Sequence, residues 1–202
     1  MKALAWQQFF VEQRDRHGKV IFSVAELANV ARTSLHNVNT ELGRLVQRGL
    51  IRRYAQGRYG LPDLPETEAI ISGVDPSAYI TGHYALFLNR IVTQVATRID
   101  CFTRRRHHPQ KACATESGKV NFVTVPPAIY DRPSGRTPAE QALCDFCWLT
   151  LRNGMQPQSL VTFRNLRNLK PRTLRGYLKH YPEAVQRAVE QIVSGEPYAR
   201  VG

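Results

Sequence analysis

The sequence predicts an α+β protein with two domains, and three observations lead to this prediction. Residues 23–61 carry two helical patterns, a short turn between them, and then a hairpin pattern. Residues 62–66 interrupt these patterns with two prolines and two acids. Beyond them, strand-length runs alternate with strongly apolar helical patterns. We therefore expect an N-terminal winged helix-turn-helix at residues 1–63, followed by a mixed α/β C-terminal domain at residues 64–202.

The N-terminal elements follow from local patterns. A first helix is predicted over residues 3–13, because apolar side chains recur there at helical spacing. A short β-like run, residues 20–22, leads to Ser23. Since Ser23 and Glu26 have the spacing of a capping box, a second helix is predicted to begin at this point. The chain is then expected to turn at Arg32 into a third helix.

The third helix is predicted to have one buried face and one polar face. Its apolar positions fall on one side when each residue is advanced by about 100°; they are Leu35, Val38, Leu42, Leu45 and Val46. The opposite side collects side chains that can bond a base edge or a phosphate; they are Thr33, Asn37, Thr40, Arg44 and Gln47, with His36 at the flank. This helix is therefore the predicted recognition helix.

A hairpin is predicted after Gly49, which is expected to end the third helix as a left-handed cap. Two strands, residues 50–54 and 58–61, enclose a turn at residues 55–57. Arg52 and Arg53 stand at the hairpin entry and Arg58 at its tip, where cations could follow a phosphate backbone. The candidate DNA-binding residues are Thr33, Ser34, His36, Asn37, Thr40, Arg44, Arg52, Arg53, Gln56 and Arg58. A protein-interaction scaffold with the same elements remains an alternative.

The net charge of +12 favours a polyanionic partner without saying which one. Residues 1–64 hold ten cations and five anions, and residues 126–202 hold eleven and six, whereas residues 65–125 hold seven and five. Both ends of the chain are therefore more basic than its middle. No apolar run approaches 18 residues, and the N-terminus lacks the core of a signal peptide. We expect a cytoplasmic protein that does not bind a membrane.

The first part of the C-terminal domain is predicted to contain a central helix and a strand pair. Residues 69–74 fit a helix end or a strand, and Asp75-Pro76 resembles the start of a helix that continues through a strongly apolar pattern to Ile91. Residues 98–103 and 119–125 have strand character, and a basic connection, residues 104–108, lies between them. That connection fits a second phosphate-binding loop or a solvated surface loop equally well.

The later part of this domain is predicted to be helical. Thr137 and Glu140 have capping-box spacing, with a proline at the first helical position, and the helix they open is expected to reach Arg152. Two or three further helices are predicted over residues 158–194, broken near Pro171 and Pro182.

Residues 78–94 contain Ala85-Leu86 and Thr93-Gln94, and residues 136–149 contain Ala142-Leu143 and Asp145. Together these two stretches resemble the AbiEi-type antitoxins and related transcriptional regulators. Residues 78–94 carry the Ala-Leu pair and the Thr-Gln turn typical of that family, here Ala85-Leu86 and Thr93-Gln94. Residues 136–149 resemble the Pro-Glu-x-Ala-Leu-x-Asp motif that opens a later helix. They depart from it by one inserted residue, Ala139, and keep Ala142-Leu143 and Asp145.

The resemblance implies a regulator with two functions. The winged helix would bind inverted repeats in the double-stranded DNA of its own promoter. The C-terminal domain would counter a nucleotidyltransferase-like toxin encoded beside it. Such a protein is an autorepressing antitoxin of a toxin–antitoxin pair.

The sequence offers little support for catalysis or for a cofactor. It has no phosphate-cradling glycine loop, no H-E-x-x-H and no G-x-S-x-G, and Asp100, Asp131 and Asp145 are isolated carboxylates. Cys144 and Cys147 fall on the apolar face of a predicted helix, where core packing explains them better than zinc or redox chemistry. We expect no enzyme activity, no cofactor and no metal site.

Overall fold

A computed structural model describes residues 2–63, 66–107, 113–115 and 117–195. The protein is mixed α+β, with about 50% helix and 15% strand. Its internal contacts separate two compact units: Met1–Pro76 with His108–Val120, and Ser77–His107 with Asn121–Gly202. The domain boundary predicted at residues 63 and 64 falls inside the first unit. Within the described residues, no helix has both the length and the apolar composition of a membrane span.

The first unit begins with three helices and a small sheet. In chain order its elements are α1 (Ala3–His17), β1 (Phe22–Ser23), α2 (Val24–Ala31), α3 (Leu35–Gln47), β2 (Arg52–Ala55), β3 (Arg58–Gly60), α4 (Thr67–Val74), β6 (Cys113–Thr115) and the start of β7 (Gly118–Thr124). The three strands β1, β3 and β2 lie in that order, all antiparallel.

Local sequence signals set the bounds of α2 and α3. Ser23 and Glu26 form the predicted capping box at the start of α2. Arg32 ends α2 in the left-handed conformation, with φ of 49°, and the chain turns within three residues. Ser34 then caps α3, and Gly49, at φ of 68°, follows its last turn as predicted. The N–H groups of Gly49 and Leu50 bond to the carbonyls of Val46 and Leu45, which satisfies the end of α3.

An aromatic and aliphatic core holds these helices on the sheet. Trp6 and Phe10 of α1 are buried beside Phe22, and the rings of Phe10 and Phe22 lie 5.2 Å apart. The same core contains the buried apolar residues Leu27, Val38, Leu42, Leu45, Ile51 and Tyr59. The polar side of α3 consequently faces outward.

The fourth helix belongs to the first unit because it packs beside β2 and β6. The Thr67 hydroxyl donates to Ser117 at the turn between β6 and β7. Gly73 lies so close to Ile21 that a Cβ there would be 2.5 Å from the Cβ of Ile21. The segment that the sequence left as a helix end or strand is therefore α4, and the strand β6 is an element that the sequence did not predict.

The second unit is built around one buried helix. Its elements are β4 (Tyr79–Thr81), α5 (Gly82–Leu88), β5 (Arg98–Thr103), the end of β7, α6 (Ala139–Arg152), α7 (Pro157–Leu160), a 3₁₀ turn (Leu166–Asn168), α8 (Pro171–Leu178) and α9 (Glu183–Ser194). Helix α6 is buried along most of its length and contacts α5, α8, α9 and β4. β5 pairs with β4 and neighbours β7.

Two sequence predictions for this unit are wrong. Residues 79–91 do not form one long helix from Asp75-Pro76, because Tyr79–Thr81 pairs with β5 as β4, and α5 begins only at Gly82. Thr137 and Glu140 do not form a capping box either. The Thr137 hydroxyl donates to the carbonyl of Ile80, and the Glu140 carboxylate accepts from the backbone N–H of Lys170.

Other predictions for this unit are confirmed. β5 has the predicted bounds, and α6 ends at Arg152 as expected. Pro171 is the first residue of α8, and Pro182 precedes α9, so the helical region is broken near both prolines as predicted.

Candidate nucleic-acid interface

The outer face of α3 presents the polar side chains that the sequence placed there. His36, Asn37, Thr40 and Arg44 are exposed, and Val38, Leu42 and Leu45 on the other side of the helix are buried. Thr33 is partly buried at the turn before the helix, where its hydroxyl accepts from the Asn37 side chain at 3.3 Å. The predicted separation into a buried face and a polar face is therefore confirmed.

Two hydroxyls on this face are occupied by the backbone of α3. The Ser34 hydroxyl accepts a hydrogen bond from the N–H of Asn37, and Ser34 is therefore the N-cap of α3. The Thr40 hydroxyl donates to the carbonyl of His36. An oxygen that already donates its proton can still accept a hydrogen bond. Among the described residues, the better candidates for donating to a base or phosphate are Arg44 and Asn37, whose amide has a second N–H besides the one given to Thr33.

One residue of the predicted buried face is exposed. Leu35 is the first residue of α3, and 54% of its surface is accessible. The core that covers Val38 and Leu42 does not reach the first turn of the helix. Leu35 consequently adds an apolar side chain to the exposed N-terminal end of α3, beside His36.

The hairpin is tighter than predicted. Its loop holds only Gln56 and Gly57, and the carbonyl of Gly57 accepts from the N–H of Val24 at 3.1 Å. Arg58 is not at the tip: it lies in β3, partly buried, opposite Ser23 of β1 and Ala55 of β2. This hydrogen bond therefore holds the hairpin loop against the start of α2.

The two arginines at the hairpin entry are both exposed but lie on opposite faces of β2. Arg52 and Arg53 pair in regular register with Gly60 and Tyr59, so their side chains lie on opposite faces, and the register shifts only after Arg53. The guanidinium of Arg52 lies 5.8 Å from the centre of the Tyr54 ring. The two exposed cations therefore start from different faces of the hairpin, and their joint role in phosphate binding stays a prediction.

No protein-family model matches the chain. A search of curated proteins finds none with significant similarity either.

The basic connection after β5 is held in a fixed conformation as far as it is described. The N–H of Arg105 donates to the Thr103 hydroxyl, and its carbonyl accepts from Thr124. The ring of His107 stacks on Phe122 with centroids 4.2 Å apart. The side chains of residues 104–106 are exposed. His108, the last residue of the predicted loop, lies outside the described residues.

The cysteines of α6 are buried thiols. Burial raises the pKa of Cys147 to about 12, and burial together with nearby Asp145 raises the pKa of Cys144. A thiol held in this way stays protonated at neutral pH and is a poor nucleophile. Among the described residues, no three His, Cys, Asp or Glu side chains come together as a metal site.

Sequence reasoning missed a fully buried carboxylate in the second unit. Asp145 in α6 is completely buried, and one oxygen accepts from Thr81 at 2.5 Å while the other accepts from Tyr181 at 2.5 Å. Tyr79 approaches the first oxygen at 3.4 Å. Burial outweighs these hydrogen bonds and raises the pKa of Asp145 to about 7. Because it is enclosed by hydroxyls, this carboxylate joins α6 to β4 and to the turn before α9.

Proposed function

We propose that the protein is a transcriptional regulator that binds double-stranded DNA, and that residues 1–63 form a winged helix-turn-helix. The outward polar face of α3 carries this proposal. A helix held on its core by Val38, Leu42 and Leu45 can present Asn37 and Arg44 without losing a buried contact. A capped, rigid helix with such a face fits the major groove of B-DNA, which is about 12 Å wide.

The proposed docking divides the contacts into two kinds. Asn37 and Thr40 face base edges, where an amide can bond adenine in two places. Arg44, at the other end of the helix, contacts a guanine or the backbone. Arg53 and Gln56 of the hairpin are assigned to phosphates, since both are exposed and Arg58 is not at the tip. Base contacts set sequence preference, and phosphate contacts set the salt dependence.

The resemblance to AbiEi-type antitoxins extends the proposal. The regulator would repress its own promoter at inverted repeats, and its C-terminal domain would counter a nucleotidyltransferase-like toxin in the cytoplasm, without catalytic activity of its own. Expression of the neighbouring gene with and without this protein tests that part. If the neighbouring gene arrests growth and this protein relieves the arrest, the antitoxin role is supported. If the neighbouring gene is not toxic, the antitoxin role is wrong and the proposal is reduced to a transcriptional regulator.

The experiment for DNA binding uses the DNA upstream of the protein's own gene. Footprinting of the wild type should protect an inverted repeat, and Asn37→Ala and Arg44→Ala should each weaken binding about tenfold, the expected cost of one good base contact. Arg187→Ala is the matched control, because Arg187 is an exposed arginine paired with Glu183 in α9. Equal binding by all three variants would contradict the proposed face.

A second candidate is a protein-interaction module whose first unit does not bind DNA. The exposed apolar side chains Leu35 and Val30, with 54% and 43% of their surfaces accessible, favour it. In that case wild-type protein would show no footprint at any salt concentration, and Leu35→Glu would abolish binding to a protein partner.

A further inference from the structure

The second unit contains a half-open groove of about 400 Å³. Its walls come from α5, β5, α6 and the segment that follows α6. A volume of this size falls within the range of small-molecule sites, roughly 300–1,000 Å³. The groove lies entirely within this unit, and the proposed DNA contacts do not use it.

One side of the groove is apolar and open to water. Phe146 and Leu149 of α6 form part of this side, together with Met155 and Leu160. Met155 and Leu160 keep 41% and 44% of their surfaces accessible. A ligand ring that covers this apolar surface removes it from water, and this removal favours binding.

The other side of the groove ends in a carboxylate with one unused oxygen. Oδ1 of Asp100 accepts from the Asn121 amide at 2.7 Å and pairs with Nε of Arg98 at 3.1 Å. Both contacts that the structure describes for this carboxylate fall on Oδ1, and Oδ2 is not among the buried side-chain atoms that lack a partner. About 10% of the Asp100 side chain is accessible, which leaves Oδ2 within reach of solvent or of a ligand donor.

His83 of α5 also lines the groove. Burial lowers the pKa of His83, while the backbone of Gln94 and the charge of Asp100 raise it. Nε2 is buried and has no hydrogen-bond partner among the described residues. Because this nitrogen is closed to solvent, Asp100 is the acceptor that a ligand in the groove can reach.

We propose that this groove binds a small, flat aromatic molecule that carries N–H donors, such as an aryl amidine or an amino-heterocycle. The ring lies against the apolar side, and the donors bond to Oδ2 of Asp100. An aromatic carboxylate of the same size would place a negative charge beside Asp100, and Arg98 is already paired there. The groove therefore selects between aromatic ligands of the same size by the N–H donors that they carry.

Benzamidine is the probe, and benzoate is its control of equal size and opposite charge. Titration of the full-length protein, followed by NMR or calorimetry, should give saturable binding of benzamidine with a Kd of about 1 mM, as expected for a small fragment. Benzoate should bind at least tenfold more weakly. Asp100→Asn should weaken benzamidine binding at least tenfold, because an amide in place of Oδ2 loses the charge.

A pair of surface variants keeps the test valid if Asp100→Asn does not fold. Leu160→Arg places a cation at the rim of the groove and should abolish benzamidine binding. Leu4→Arg changes an exposed leucine of α1 in the first unit and should leave binding intact. The proposal is overturned if benzamidine shows no saturation, if benzoate binds equally well, or if Leu160→Arg binds like the wild type.

Discussion

Asp145 should make the protein less stable as the pH rises from about 4 to about 7. The carboxyl group has a pKa of 3.8 in an ordinary environment and about 7 in the folded chain, because burial opposes its ionisation more strongly than the hydroxyls of Thr81 and Tyr181 favour it. Between these two values the folded state holds a proton that the unfolded state has lost. Raising the pH therefore favours unfolding, by about 4 kcal/mol in total at about 1.4 kcal/mol per pKa unit.

Asp145→Asn isolates this contribution, since asparagine has nearly the same shape and does not titrate. Near pH 4 the wild-type carboxyl is protonated and the two proteins have similar acceptor and donor groups at this position. Above pH 7 the wild type holds a buried charge and the variant does not. The advantage of the wild type over the variant in free energy of unfolding should therefore shrink by up to about 4 kcal/mol across this range.

Urea denaturation at several pH values, followed by tryptophan fluorescence, measures this difference. Trp148 lies in α6, three residues from Asp145, and a Trp6→Phe background makes it the sole tryptophan of the chain. The titration of His83 and the repulsion among the many cations affect both proteins and cancel in the comparison. A difference that stays constant, or that grows with pH, would refute the conclusion that burial dominates at Asp145.

Three further outcomes are expected from other parts of the chain. Gly43→Ala should raise the free energy of unfolding by about 0.5–1 kcal/mol in thermal or urea melts, because Gly43 lies inside α3 with open space around its Cα. Gly73→Ala should lower it by about 1–3 kcal/mol in the same melts, because the added methyl would meet Ile21; equal effects of the two substitutions would contradict both packing arguments. In a Cys113→Ser variant at pH 8, a thiol reagent should modify neither Cys101 of β5 nor Cys144 and Cys147 of α6 until urea is added, and fast labelling of Cys144 or Cys147 in the folded protein, located by peptide mapping, would contradict the burial of α6.

The elements that sequence analysis predicted well are those whose signals are local. The cap of α2 needs only Ser23 and Glu26, and the end of α3 needs Gly49 in a conformation that suits glycine. The polar face of α3 follows from helical rotation alone. Each of these signals lies within one or two turns of chain, so no distant residue had to be known.

The predictions that failed depended on distant partners. Tyr79–Thr81 is compatible with a helix or a strand, and only pairing with residues about 20 positions later decides for a strand. The Thr137 hydroxyl could cap α6, but the carbonyl of Ile80 accepts its proton instead. In both cases a tertiary contact overrode a local preference.

The exposed end of α3, the surroundings of Asp145 and the groove likewise depend on contacts that local sequence patterns do not indicate. Leu35 fits the apolar periodicity of α3 but is exposed, because the periodicity of a helix does not indicate how far along the helix the core extends. The hydroxyls around Asp145 come from residues 36, 64 and 66 positions away, and nothing in the sequence near Asp145 indicates them. The groove at His83 and Asp100 likewise exists only once α5, β5 and α6 have met.

The salt dependence of DNA binding tests the central proposal most directly. Binding of the wild type to its upstream DNA should weaken steeply with salt, and each phosphate contact should add about 0.9 to the slope of log K against log salt. Arg53→Ala should lower that slope by about one, and Asn37→Ala should weaken binding to the preferred sequence with the slope unchanged. If both variants bind with the wild-type affinity and slope, α3 and the hairpin are not the DNA-binding surface.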